Sequence, residues 1–347
     1  MTLGARMLKT GIAVTLTIYV TSLLQVTSPV IAAVAAIFAM QPTIYRSWKH
    51  FLDQLQTNTL GAVLAMIAGT YFSKDPFAVG IVCVIVIMLC LKLKMEETIG
   101  LTLVTVIAVM DASGQWQFAL NRFMQILIGI GIASLINIFF LPPRPRDHFI
   151  AQIEAVFVKL SLLLRTVISN ELRESIFRDE KRELKDALDA LSAKFKLLEE
   201  EYKKLRGAKL SSIRDLVVYS HMLAALRKGF DVLETVDQHY FQGDRDEWTD
   251  AQFDRQLERL IKLHEHVLLR FDEKLKKSDR SETERIEEEC QTFMREVLNW
   301  SGKRADADLR LTIVSASLFD YGHQIGRLDK LVEQYHKGET SKAEARQ

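Results

Sequence analysis

Charge is distributed along this chain so unevenly that its two parts cannot share one solvent. Between Thr10 and Leu141 charged residues are scarce and apolar runs follow one another; from Pro142 onward Glu, Lys, Arg and Asp recur throughout. The pattern predicts a membrane domain over residues 1–146 joined to a soluble domain over 147–347, and 347 residues suffice for both. The formal net charge of +1 supplies no basic surface for phosphates, so a nucleic-acid partner is not expected. The cysteines Cys83, Cys90 and Cys290 are too widely spaced for a disulfide framework, which places the soluble part in a reducing compartment. The apolar start continues past Pro29 into further hydrophobic segments, so no cleavable signal peptide is expected.

A helix crossing a bilayer needs about 17–25 largely apolar residues. Candidate spans lie at roughly 8–25, 28–42, 56–72, 76–92, 98–112 and 121–141. Six crossings put Arg6, Lys9, Arg46, Lys49, Lys92, Lys94, Arg144 and Arg146 on one side, against Lys74 and Arg122 on the other. Lys and Arg collect on the cytoplasmic side, so both chain ends are expected there. Joining residues 8–42 into one helix gives about 50 Å, too long for a core of about 30 Å. Residues 41–50 then form the first cytoplasmic connection. The segment "WKHFLDQLQTNTLGAVLAMIAGTYF" begins amphipathic and turns apolar, as a helix rising from the interface does.

"RMLKTGIAVTL", "QLQTNTLGAVLAMIAG" and "FMQILIGIGIASLIN" echo one another. Each sets a glycine (Gly11, Gly61, Gly129) four residues before a small residue (Thr15, Ala65, Ala133), the spacing of close helix packing, and Ala65 with Gly69 repeats it. Three helices around a path are the functional version of the same pattern. Polar side chains are costly in lipid, yet Gln25, Gln41, Asn58, Asp111, Gln115, Asn121, Arg122, Gln125 and Asn137 sit in the spans or at their ends. Arg122 lies on the side poor in positive charge. It reads either as a snorkelling arginine paired with Asp111 or as a fixed charge attracting an anion. Asn58 and Gln125, just before the glycines of their spans, are candidate hydrogen-bond donors to a carboxylate. Asn121, Asp111 and Gln41 complete the candidate transport path. Lys92 and Lys94 resemble a cytoplasmic funnel, offset by Glu96 and Glu97; Cys83 and Cys90 read as packing residues.

After "FFLPPRPRDH", alternating three- and four-residue spacing puts apolar residues on one stripe of each segment. The stripes run Leu184–Leu205, Leu216–Leu233, Phe253–Phe271, Ile286–Val297 and Leu311–Val332, with a sixth around Ile153, Leu160, Leu164 and Val167. Breaks fall at Gly207, at residues 241–246 and near Ser301–Gly302. The fold class expected for the chain is therefore all-α: a six-span transmembrane domain followed by a cytoplasmic, coiled-coil-like bundle of long helices. His264 falls on a seam as a packing histidine, and its offset of two residues from His266 turns the two about 200° apart on a helix. Neither a metal site, a cofactor site nor a nucleophile with its base is expected, so the chain is not read as an enzyme.

"GARMLKTGIAV", "AIFAMQPTIYRSW", "NTLGAVLA", "CLKLKMEETIGLTLVTV" and "FALNRFMQILIGIGIASLINIFFLPPRP" resemble, in order, the aromatic acid exporter family, part of the wider fusaric-acid-resistance superfamily. The resemblance covers residues 1–146, and residues 148–347 look like that family's C-terminal helical domain. It implies export of aromatic or related organic acid anions across the bacterial plasma membrane, potential-driven or proton-coupled. Related proteins pair two six-span halves, so a homodimer in the lipid bilayer is implied for a chain with one half. The rival reading is a membrane-anchored helical scaffold or sensor without transport.

Overall fold

A computed structural model describes residues 5–25, 28–72, 75–112, 115–139, 145–169, 174–204, 210–240, 247–274, 281–301 and 308–344. All secondary structure among them is helical. The chain forms two compact units, Met1–Arg144 and Pro145–Gln347.

The first unit holds α1 (Ala5–Leu23), α2 (Pro29–Phe38), α3 (Ile44–Tyr71), α4 (Pro76–Lys92), α5 (Ile99–Asp111) and α6 (Trp116–Phe139), with a 3-10 turn at Glu96–Thr98 before α5. Local chemistry sets the ends. Pro29 and Pro76 occupy first-turn positions where a missing N–H costs nothing. Thr43 Oγ1 accepts the Arg46 N–H and Asp75 Oδ1 accepts the Phe77 N–H, capping α3 and α4. Gln25 and Lys94, at φ 52° and 59°, take the left-handed conformation that terminates α1 and α4. α3 packs on α4, α5 and α6, and α6 packs also on α1 and α2.

These six helices stand at the six expected segments. Length separates them: among the described residues only α6 is long and apolar enough to cross a membrane, while α1, α2 and α4 are shorter apolar helices. Two of the three echoing glycines act as contact points. A Cβ on Gly129 would lie 2.1 Å from the Ala32 carbonyl oxygen of α2, and one on Gly61 would lie 2.7 Å from Thr102 Cγ2 of α5. Gly11 differs, since a Cβ there meets nothing within 4 Å.

The second unit holds α7 (Pro145–Ser169), α8 (Glu174–Lys204), α9 (Leu210–His239), α10 (Glu247–Phe271), α11 (Ser281–Ser301) and α12 (Asp308–Glu344). α7, α8 and α9 pack mutually, α12 packs on α9, α10 and α11, and α7 touches α10. The expected stripes supply the core: Leu184, Leu188, Leu191, Tyr219, Leu226, Leu260, Val314, Leu318 and Leu328 are all buried. α9 buries more than one stripe, adding Val218, Met222, Ala225, Val232 and Val236, so the core is a shared interior and not a two-helix seam. Leu205, Gly207, residues 241–246 and Gly302 lie outside the described residues.

Candidate functional site

The first unit is apolar outside, and inside it a polar stripe runs beside two apolar clusters. Leu16, Ile18, Tyr19, Val30, Phe38, Ile67, Phe77, Val84, Met88, Met124 and Leu135 are exposed, whereas Thr17, Ser47, Gln54, Asn58, Thr102, Thr105, Gln125 and Asn137 are buried. So many exposed large apolar side chains are not the surface of a water-soluble domain.

The polar residues fall in register. On α3, Ser47, His50, Gln54, Thr57 and Asn58 recur at three- and four-residue spacing and form one buried stripe, which Gly61 and Ala65 continue. Ser47 to Asn58 covers about 16 Å of helix rise. Thr98, Thr102 and Thr105 face them from α5 and its preceding turn, and Arg122, Gln125, Ser134 and Asn137 are buried on α6. The amphipathic start of α3 thus turns its polar side into the unit, not towards an interface.

Hydrogen bonds anchor one side of this column. Thr102 Oγ1 donates to Thr57 Oγ1 at 3.1 Å and Thr105 Oγ1 to Asn58 Oδ1 at 2.9 Å. At one end, Asn137 Nδ2 donates to Ser47 Oγ at 2.6 Å and to the Gln41 carbonyl at 3.0 Å, while Lys9 Nζ donates to Asn137 Oδ1 at 3.2 Å. Gln41 Nε2 donates to Glu97 at 3.3 Å. Other buried atoms have no hydrogen-bond partner: both ring nitrogens of His50, both amide atoms of Gln54, Nδ2 of Asn58 and Nε of Arg122. Their residues are 4%, 1%, 1% and 9% exposed, too little for bulk solvent to serve them freely.

Charge in the column is one-sided. Lys9 and Arg122 are buried, and no Asp or Glu is buried among the described residues of this unit. Asn137, which holds Lys9, and Arg122 stand fifteen residues apart on α6, about 22 Å, so the cations mark opposite ends. Between α3 and α6, Phe51, Gln54, Leu55, Asn58, Phe123, Ile126, Leu127 and Ile130 line a cleft of about 10 Å³. That admits about one water, whereas benzene occupies cavities of about 150 Å³.

Arg122, Asn58 and Gln125 therefore lie in the buried column, and Gln41 at the Lys9 end. Asn121 and Asp111 lie on exposed surface. Among the described residues Arg122 is buried and Asp111 exposed, and no ion pair joins them. Sequence reasoning left out His50, Gln54, Thr102 and Thr105 and took Lys9 only as a topology marker. The signal was present as the polar stripe of α3, but a period says which residues share a face, not which way that face turns.

In the second unit His264 is fully buried, its Nδ1 2.8 Å from Tyr321 Oη, with Phe157 against its ring. Burial pushes the imidazole down to about 3 and the Tyr321 phenol up. Cys290 is buried, with Gln256 Nε2 3.3 Å from its sulfur. Both are core residues.

Comparison with known proteins gives these observations a family. A sequence profile described as aromatic acid exporter family member 1 matches residues 1–140, and one described as the fusaric acid resistance protein family matches residues 99–347. The UPF0421 protein YgaE of Bacillus subtilis (strain 168) is 31% identical over 343 residues, covering 96% of each chain. UPF0421 proteins of Halalkalibacterium halodurans and Oceanobacillus iheyensis are 30% and 27% identical over 167 and 161 residues, covering 48% and 46% of this chain and 47% and 46% of theirs. The chain belongs to the fusaric acid resistance protein family, a family of membrane efflux transporters, with the aromatic acid exporter match in its first 140 residues.

Proposed function

We propose that this protein exports aromatic or related organic acid anions, which pass along the column between α3, α5 and α6. The observation that carries the reading is the pair of buried cations, Lys9 and Arg122, with no buried carboxylate among the described residues of the unit. Buried charge is expensive without a counter-charge. A passing carboxylate supplies that counter-charge, while a cation meets two like charges. Asn58 Nδ2 and the Gln54 amide donate hydrogen bonds to the carboxylate, and Phe51 and Phe123 offer apolar contact to the ring.

All six helices cross the bilayer in this reading, with both chain ends in the cytosol, and the active form is a homodimer. α2 is ten residues, about 15 Å, half the hydrocarbon thickness. Ala39 and Met40 continue it as buried residues, the setting in which non-helical chain is tolerated at membrane depth. The exposed apolar exterior supports immersion in lipid. The cleft is closed to an aromatic ring in the single protomer, so transport requires α3 and α6 to separate.

An interior-negative potential contributes about 2.3 kcal/mol per 100 mV to a departing monovalent anion, roughly fortyfold accumulation outside at about 1.4 kcal/mol per decade. Proteoliposomes loaded with radiolabelled benzoate and given a potential test this. Potential-dependent efflux above that of protein-free vesicles is expected. Its absence for benzoate and for every other aromatic carboxylate tried overturns the proposal.

A further inference from the structure

We infer that His50, with Glu97 beside it, is the proton-binding site through which this transporter couples anion efflux to proton entry. The inference rests on the anion-export reading above and adds the coupling ion and the residue that carries it.

The geometry is that of a relay. His50 Nδ1 stands 4.0 Å from Glu97 Oε2, and that glutamate side chain is 63% exposed. The imidazole itself is 4% exposed, and neither ring nitrogen has a hydrogen-bond partner. One turn along the same stripe stands Gln54, with both amide atoms unpartnered, and one turn further Asn58, with Nδ2 unpartnered. A buried polar atom left unpaired costs about 1–3 kcal/mol. Three successive turns of such atoms therefore take water or the travelling anion as partners. A line of unpartnered polar atoms that ends on an imidazole 4.0 Å from an exposed carboxylate becomes a proton path with an exit once water enters it.

The surrounding charges fit release to the cytosol. The charged groups acting on His50 are Glu97 on the 3-10 turn and Asp53 on its own helix, and Lys49 acts on Asp53. A proton arriving along the file bonds to Nε2; the Nδ1 proton leaves to the Glu97 carboxylate and from there to water. One proton enters for each anion that departs; the imidazole regains its starting charge with the proton on Nε2, and tautomerisation through water returns it to Nδ1 before the next turnover.

The test measures protons taken up per benzoate released, with a trapped pH dye and radiolabelled benzoate in proteoliposomes, protein-free vesicles subtracted. Wild type is expected to give a ratio near one, and His50→Gln a ratio at least fivefold lower whatever its residual flux. An unchanged ratio in His50→Gln overturns the inference. Benzoate efflux in wild type without proton uptake also overturns it, and leaves the anion path standing. Should neither benzoate nor any other aromatic carboxylate tried move at all, the export reading fails and a second measurement decides. In protein carrying ¹³C-labelled histidine, the resonance lost in His50→Gln is followed against pH. A titration whose midpoint falls in Glu97→Gln, a substitution at an exposed position, supports the site. A resonance that does not titrate between pH 4 and 8, or is unmoved by Glu97→Gln, overturns it.

Discussion

Thr105 Oγ1 donates a 2.9 Å hydrogen bond to Asn58 Oδ1, so the acceptor end of that buried amide is occupied and its donor end, Nδ2, is not. α5 thereby orients a residue of α3 as a donor, which is what a carboxylate needs.

Thr105→Val keeps the side-chain shape and removes the bond. A neutral hydrogen bond contributes about 1 kcal/mol net, or roughly fivefold. The benzoate concentration for half-maximal efflux is expected to rise about fivefold, with the maximal rate less affected. Asn58→Asp is expected to act far more strongly, because it places the first buried carboxylate between Lys9 and Arg122. Half-saturation and maximal rate in proteoliposomes check both, and equal effects would sink the orientation argument.

Arg122 contributes charge, not a paired contact, in this account. Arg122→Lys, which keeps a point charge, is expected to retain most benzoate flux. Arg122→Gln is expected to lose about tenfold or more, equivalent to about 1.4 kcal/mol. If both variants match wild type, the residue only anchors the helix.

Gly129 tests the packing beneath the column. The atom a Cβ would strike is the Ala32 carbonyl oxygen, backbone that no rotamer change can move aside. Gly129→Ala is expected to cost about 1–3 kcal/mol of overpacking, read as a lower thermal midpoint of the purified full chain. Gly131→Ala, two residues on with nothing within 4 Å, is expected to be neutral or mildly stabilising, since alanine favours helix by up to about 1 kcal/mol. Gly61→Ala falls between them. Thr102 Cγ2 is a side-chain atom, but Thr102 Oγ1 is held by Thr57 and the Thr98 carbonyl.

The bundle was legible because one face of each helix meets water, and the alternation of charge with leucine marks the other. The interior stripes on α10 and α12, from Phe253 to Phe271 and from Leu311 to Val332, are buried as their spacing dictates. In the first unit that contrast fails, because lipid accepts the same side chains that a core does. Asn58, Arg122 and Gln125 stood out as polar groups in apolar surroundings. His50 and Gln54 did not, since at the amphipathic start of α3 a polar residue is unremarkable until its neighbours show it buried. Asp111 and Asn121 drew notice for the same chemistry as Arg122 but sit where their helices meet the surface.

His264 makes stability depend on acidity in a predictable direction. Its imidazole ordinarily titrates near 6.5 and is held to about 3 by burial, with Phe157 against the ring. The Tyr321 phenol, pushed up by burial, stays protonated and shares a 2.8 Å hydrogen bond with Nδ1 whose direction follows the imidazole tautomer. Between pH 6.5 and 3 the unfolded chain binds a proton there and the folded chain does not. Stability from this residue is complete above about 6.5 and is lost as pH falls toward 3, about 2 kcal/mol by pH 5. His221, pushed down by burial and by Arg327, acts in the same sense. Hydrogen exchange of the α10 amides in the full chain reads the opening free energy of the bundle at pH 7.5 and pH 5, after correction for the intrinsic exchange rate. His264→Gln is expected to be less protected at pH 7.5, having lost its packing, yet to lose less on acidification. An identical drop in both proteins would show that the imidazole already carries its proton in the folded core, with Nδ1 then donating to the Tyr321 hydroxyl.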